Sequence, residues 1–219
     1  MLMLAKPLGG RRRVLKHPSW WVGLIMLPNR DEIKAKLREY EDARDRIINT
    51  GIRLNRLSKS TIYSVIRGDW DSADRYLEDM RRELQDLMNL VRQYPFYYDK
   101  AAVSLQEYAE AYIMYVYNRD GRIPTLSEVG VDEVAYLNGL MEFTGELSRK
   151  ATEELIKDNL DYALKAKEVM EEIYLDMLYM EFKDFEMRKK VDYVANNINW
   201  LNEKIFYKTL NRKVPLSPS

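Results

Sequence analysis

Two pairs of glutamates carry the spacing in this sequence that most suggests chemistry. Glu107 and Glu110 are three residues apart, and Glu142 and Glu146 are four apart, so on helices each pair shares one face. Around the first pair, Tyr108, Ala109, Ala111, Tyr112, Ile113, Met114 and Val116 leave little polar surface. Carboxylates placed there are costly unless a cation or a hydrogen-bond donor meets them. The second pair lies opposite an apolar stripe of Tyr136, Leu140, Phe143, Leu147 and Ala151, with Asn138, Arg149 and Glu153 on its own side. Two readings stand side by side. Four carboxylates from two helices can hold one or two Mg²⁺ ions, with Mn²⁺ as a substitute, and a metal-held phosphodiester needs no base beyond a carboxylate or a metal-bound hydroxide. Surface acids are equally an ordinary feature of helices, and a solvated face with an intrahelical ion pair accounts for Glu142 and Glu146 on its own.

The rest of the composition narrows the chemistry by exclusion. There is no cysteine, which removes disulfides, thiol nucleophiles and thiolate zinc sites. His17 is the only histidine, so Ser-His-Asp constellations, histidine-rich metal centres and the Glu-x-x-His pairs of di-iron bundles cannot be built. The 35 basic and 35 acidic side chains balance, so overall basicity is no sign of nucleic-acid binding and any such surface must be local.

These acids need helices to aim them, and the sequence supplies helices almost throughout. Asn29 and Asp31 open a long one carrying Ile33, Leu37, Tyr40, Ile47, Leu54 and Leu57 at helical spacing. Gly68 and Asp69 mark a turn, and a second helix runs from about Trp70 until Pro95 stops it. A third, from about Asp99 to Tyr117, is apolar around nearly its whole circumference, which predicts burial inside a bundle or between subunits. A short capped segment follows at Thr125–Val129, then helices at about 132–157, 160–182 and 185–210, with Met170, Met177 and Met180 at core spacing. No period-two alternation is long enough for a sheet. The expected class is therefore all-α, a bundle of about six to seven mostly long helices.

The ends read differently from this core. Residues 1–28, with Arg11, Arg12, Arg13 and Lys16, are expected to be a flexible basic arm, or to precede a true start at Met26; residues 29–211 form the helical domain and 212–219 a flexible tail. The apolar run from Trp20 to Leu27 is broken by Gly23, stopped by Pro28 and too short to span a bilayer. No membrane association is expected, and the cytoplasm is the expected location.

Several segments together resemble the translin family. They are Leu105-Gln106-Glu107-Tyr108-Ala109-Glu110-Ala111, the run from Tyr136 to Arg149 containing Thr144-Gly145-Glu146, and the shorter Ser58-Lys59-Ser60-Thr61-Ile62, Tyr174-Leu175-Asp176 and Arg188-Lys189-Lys190-Val191-Asp192. The resemblance covers about residues 31–210 and is strongest to the Trax branch, as an archaeal-type member. It implies a translin-like helical fold, an octamer-like homo-oligomer with a hollow interior, and a Mg²⁺-dependent endoribonuclease acting on single-stranded RNA, with single-stranded DNA a further ligand. Glu107, Glu110, Glu142 and Glu146 match that branch's catalytic metal-site acids, except that Trax carries aspartate where this chain has Glu142. The family's basic cluster before the third helix is replaced here by Tyr94-Pro95-Phe96-Tyr97-Tyr98-Asp99-Lys100. Tyr97 as a base-stacking platform and Lys100, Arg149 and Lys150 as phosphate contacts are the candidate nucleic-acid residues. Two other functions compete: a translin-like oligomer that holds single strands without cutting them, and an all-α nucleotide pyrophosphohydrolase using the same acids.

Overall fold

The computed structural model describes residues 27–213, with side chains as far as Leu210. The expectations for Arg11, Arg12, Arg13, Lys16, His17 and residues 214–219 lie outside the described residues. The elements are α1 (Arg30–Arg67), α2 (Trp70–Gln93), a 3₁₀ turn (Pro95–Tyr97), α3 (Tyr98–Asp120), α4 (Leu126–Val129), α5 (Glu133–Ile156), α6 (Leu160–Tyr179) and α7 (Phe185–Lys213). Among the described residues there is no strand, so the all-α expectation holds.

Local chemistry accounts for most boundaries. Asp69 caps α2 by accepting from Ser72 N, Asp132 caps α5 by accepting from Val134 N and Ala135 N, and Asn159 caps α6 through Tyr162 N. Each satisfies amide donors that a helix start leaves open. Thr125 and Glu128 form a reciprocal capping box around α4. Pro95 opens the 3₁₀ turn, where its missing N–H costs nothing. Gly121 ends α3 at φ +72°, a left-handed conformation that glycine adopts without steric penalty.

The chain divides between Glu41 and Asp42 into two units. Of the first, the structure describes residues 27–41, and here Ile33, Leu37 and Tyr40 lie on the exposed side of α1, not in a core. In the second unit, α5 is the central element: it packs against α3, α6 and α7, while α2 packs on α3. Leu105, Tyr108, Ile113 and Met114 of α3 and Met141, Phe143 and Leu147 of α5 are almost wholly buried, each contributing roughly 1.5–3 kcal/mol by leaving water. Tyr117 of α3 meets the Phe143 ring edge-on at 5.5 Å. The all-round apolarity of α3 thus reflects its enclosure within the bundle. Met170 and Met177 are buried as expected, but Met180, the residue that caps the end of α6, is 50% exposed.

Candidate functional site

The site is made by an unusually close crossing of α3 and α5. Gly139 has no side chain because there is no room for one: a Cβ built on it lies 2.6 Å from Ala109 Cβ, 2.8 Å from Glu110 N and 3.0 Å from Gln106 O. One turn further along α5 come Glu142 and then Glu146, and the facing turn of α3 carries Glu107 and Glu110. All four are half-buried. They feel one another: burial first, then the charges of Glu107, Glu146 and Glu142, push the Glu110 carboxyl up to about 8, against a partial offset from Lys190. Glu146 is also raised by burial, with Arg149 opposing and Glu107 reinforcing.

The α5 acids have cationic partners and the α3 acids do not. Arg149 Nη1 donates to Glu146 Oε2 at 3.2 Å, and Lys190 Nζ from α7 lies 3.1 Å from Glu142 Oε1. Neither Glu107 nor Glu110 has an ion-pair partner among the described residues. Helix α7 closes a third side. Asn197 Nδ2 donates to Thr144 Oγ1 at 3.0 Å, and Tyr193 places its hydroxyl over Gly145, where a Cβ would collide with it. Burial raises the Tyr193 phenol, and Glu142, Glu110 and Glu146 add to the rise.

As the side chains stand, no three acids among the described residues converge closely enough to hold a metal ion. The donor set nevertheless fits one in kind. It is all carboxylate oxygen, the preference of a hard divalent cation, and its two unpaired acids sit in a pocket short of positive charge. Closing a ligand set would require the side chains to move together across the α3–α5 crossing.

Of the expected nucleic-acid residues, Lys150 is buried, Tyr97 and Arg149 are half-buried and Lys100 is exposed. Lys150 must be withdrawn as a phosphate contact: it is 9% exposed, donates to Ile66 O at the end of α1 and pairs with Glu154 at 2.9 Å. Its ammonium is used in tying α1 to α5. Arg149 is 40% exposed, but besides Glu146 it also lies over the Tyr63 ring at 4.5 Å. Lys100 is exposed and pairs with Asp99 at 2.6 Å. It stands two helical turns before Glu107 on the same side of α3. Tyr97 packs partly into the core and against Phe96, which is the more exposed ring of the two.

Lys190, Tyr193 and Asn197 are site residues that sequence reasoning misses. Their i, i+3, i+7 spacing places them on one face of α7, but many polar residues surround them there, so spacing alone does not separate them from a solvated face.

Among the described residues no helix is long and apolar enough to cross a membrane. Comparison with known proteins gives consistent neighbours. The Translin family model matches residues 29–212. An uncharacterized protein of Methanocaldococcus jannaschii is 23% identical over 169 residues, 76% of this chain and 72% of that protein. Among solved structures, apo-NeC3PO is 45% identical with a TM-score of 0.81, covering 84% of this chain and 98% of its own. AfC3PO, solved both alone and as a duplex RNA complex, is 26% identical with a TM-score of 0.75, covering 83% and 97%. With a family model matching nearly the whole described length and the same helical fold in its structural neighbours, the chain belongs to the Translin family.

Proposed function

We propose that this chain is a Mg²⁺-dependent endoribonuclease that acts on single-stranded RNA within a homo-oligomer. The observation that carries the reading is Glu110: a half-buried carboxyl with no ion-pair partner among the described residues, facing the charges of Glu107, Glu142 and Glu146. Such an arrangement is costly in a merely structural helix contact. The four glutamates would hold the metal, which when bound orients a phosphodiester and activates a water. The chain's own part is positional. The Gly139 crossing sets the distance between the acid pairs, Arg149 restrains Glu146, and Lys190 restrains Glu142. Membership in the Translin family and the duplex RNA complex of AfC3PO support RNA as the class of ligand. Assembly is supported by apolar side chains the bundle leaves uncovered, including Leu175, Leu178, Tyr179 and Phe185 around the α6–α7 connection.

The test is cleavage of an end-labelled single-stranded RNA with and without EDTA. Full-length protein should cut only with the divalent ion, and Glu110→Ala and Glu146→Ala should each abolish cutting at unchanged oligomer size. Cleavage that survives both substitutions overturns the reading. A second reading, an oligomer that holds nucleic acid without cutting it, is favoured by the separation of the acid side chains. RNA binding that persists in EDTA, with no Mg²⁺-dependent product, selects it.

A further inference from the structure

Lys190 comes from a helix outside the two acid-bearing ones, yet its ammonium lies between them. Nζ donates to Gln106 Oε1 of α3 at 2.9 Å and pairs with Glu142 Oε1 of α5 at 3.1 Å. One ammonium therefore bridges α3, α5 and α7 at the level of the acids, and its charge also reaches Glu110. The lysine and glutamate side chains are 25% and 30% exposed, so the pair is shielded well beyond an ordinary surface ion pair. Its partner is the one acid of the four that lies on a cation from another helix, and no three acids among the described residues converge while it does. An ammonium and a divalent cation compete for the same carboxylate lone pairs. A cation entering beside Lys190 also meets like charge.

We propose that Lys190 is an internal counter-ion that holds Glu142 out of the ligand set until a divalent cation displaces it, so that this residue sets the divalent affinity of the site. The inference rests on the four glutamates being the ligand set. Lys190 is on this view a positioning residue acting through Glu142. Gln106 gives the displaced ammonium a place to stay, because its hydrogen bond does not depend on Glu142.

The experiment uses Mn²⁺ alone as the probe, with free Mn²⁺ counted by electron paramagnetic resonance during titration of the full chain. Lys190→Met should bind Mn²⁺ on the order of tenfold more tightly than the unsubstituted chain. Lys190→Arg, which keeps the charge, should retain the original affinity. Lys190→Gln is the second neutral variant, needed if methionine disturbs packing, and it should tighten binding as Lys190→Met does. Without metal the neutral variants should melt at lower temperature, and saturating Mn²⁺ should remove that difference, a result that a purely structural lysine does not give. Unchanged or weaker Mn²⁺ binding in both neutral variants, at native oligomer size, overturns the proposal while leaving the ligand set standing. If the unsubstituted chain shows no Mn²⁺ binding that Glu110→Gln weakens, the ligand set fails and the proposal falls with it.

Discussion

At Glu110, burial and charge act in the same direction, and both oppose ionisation. Its carboxyl rises from an ordinary 4.5 to about 8, first because it is buried and then because Glu107, Glu146 and Glu142 face it. The sign of the consequence follows from proton counting. Between these two values the unfolded chain releases a proton that the folded chain retains, so stability falls as pH rises through the window and levels off above about 8. Glu110→Gln removes that cost and keeps the shape. Each tenfold change in an acid's dissociation constant corresponds to about 1.4 kcal/mol; allowing for screening, the gain should be on the order of 2 kcal/mol above the window. That is roughly 4–8 °C in melting temperature for a chain of this size. Metal-free thermal melts should therefore show the variant level with the original chain at low pH and more stable at high pH. An offset that does not change with pH would mean that Glu110 is not held neutral in the fold.

At the level of the elements, Gly139 sets two opposed effects against each other. Alanine is the better helix former by about 1 kcal/mol, but at this position its methyl would meet Ala109 Cβ and the Glu110 backbone nitrogen at 2.6 and 2.8 Å. Backbone cannot turn aside, and overpacking of this kind costs roughly 1–3 kcal/mol. Gly139→Ala should therefore lower the melting temperature by a few degrees and reduce RNA cleavage by more than the unfolded fraction explains, since it moves Glu142 away from Glu110. Gly145→Ala is the comparison: its new methyl meets the hydroxyl end of Tyr193, a side chain that can rotate, so the stability loss should be smaller. Equal losses in the two variants would show that the α3–α5 crossing is no tighter than the α5–α7 contact. The helices themselves are legible in the sequence because Asp69, Pro95, the Thr125–Glu128 box, Asp132 and Asn159 act within a turn of themselves. The two acid pairs are legible for the same reason, as spacing within a helix. What spacing cannot carry is contact between helices. Lys150 has the position of a phosphate ligand one turn beyond Glu146, and only the end of α1 at Ile66 shows why it turns inward. Lys190 becomes visible as a site residue only when α7 is laid against α5. Likewise Ile33, Leu37 and Tyr40 have a core-like spacing but an exposed face.

For the whole molecule, net charge limits how RNA can be held. The 35 basic and 35 acidic residues cancel, but not evenly along the chain: residues 1–26 hold five Lys or Arg and no acid, which leaves residues 27–219 with five acids in excess. A helical body of that sign repels phosphate at long range, and the basic side chains expected to counter it are mostly engaged, Lys150 with Glu154 and Ile66 O, Arg149 with Glu146 and Lys100 with Asp99. If single-stranded RNA binds without metal, the salt-sensitive part of its affinity must then come largely from residues 1–26. Releasing about 0.7 counterion per phosphate neutralised, five cations account for a slope of about 3.5 in log K against log salt. Fluorescence anisotropy of a labelled single strand in EDTA, over a series of KCl concentrations, checks this by comparing the full chain with one beginning at Leu27. The shorter chain should bind more weakly at low salt and show a slope shallower by up to about 3.5. On the proposed reading, its Mg²⁺-dependent cleavage at saturating RNA should be unchanged, because Glu107, Glu110, Glu142 and Glu146 lie on α3 and α5. Equal slopes would instead place the phosphate contacts on the helical body, and Arg149 and Lys100 would have to leave their acid partners to make them.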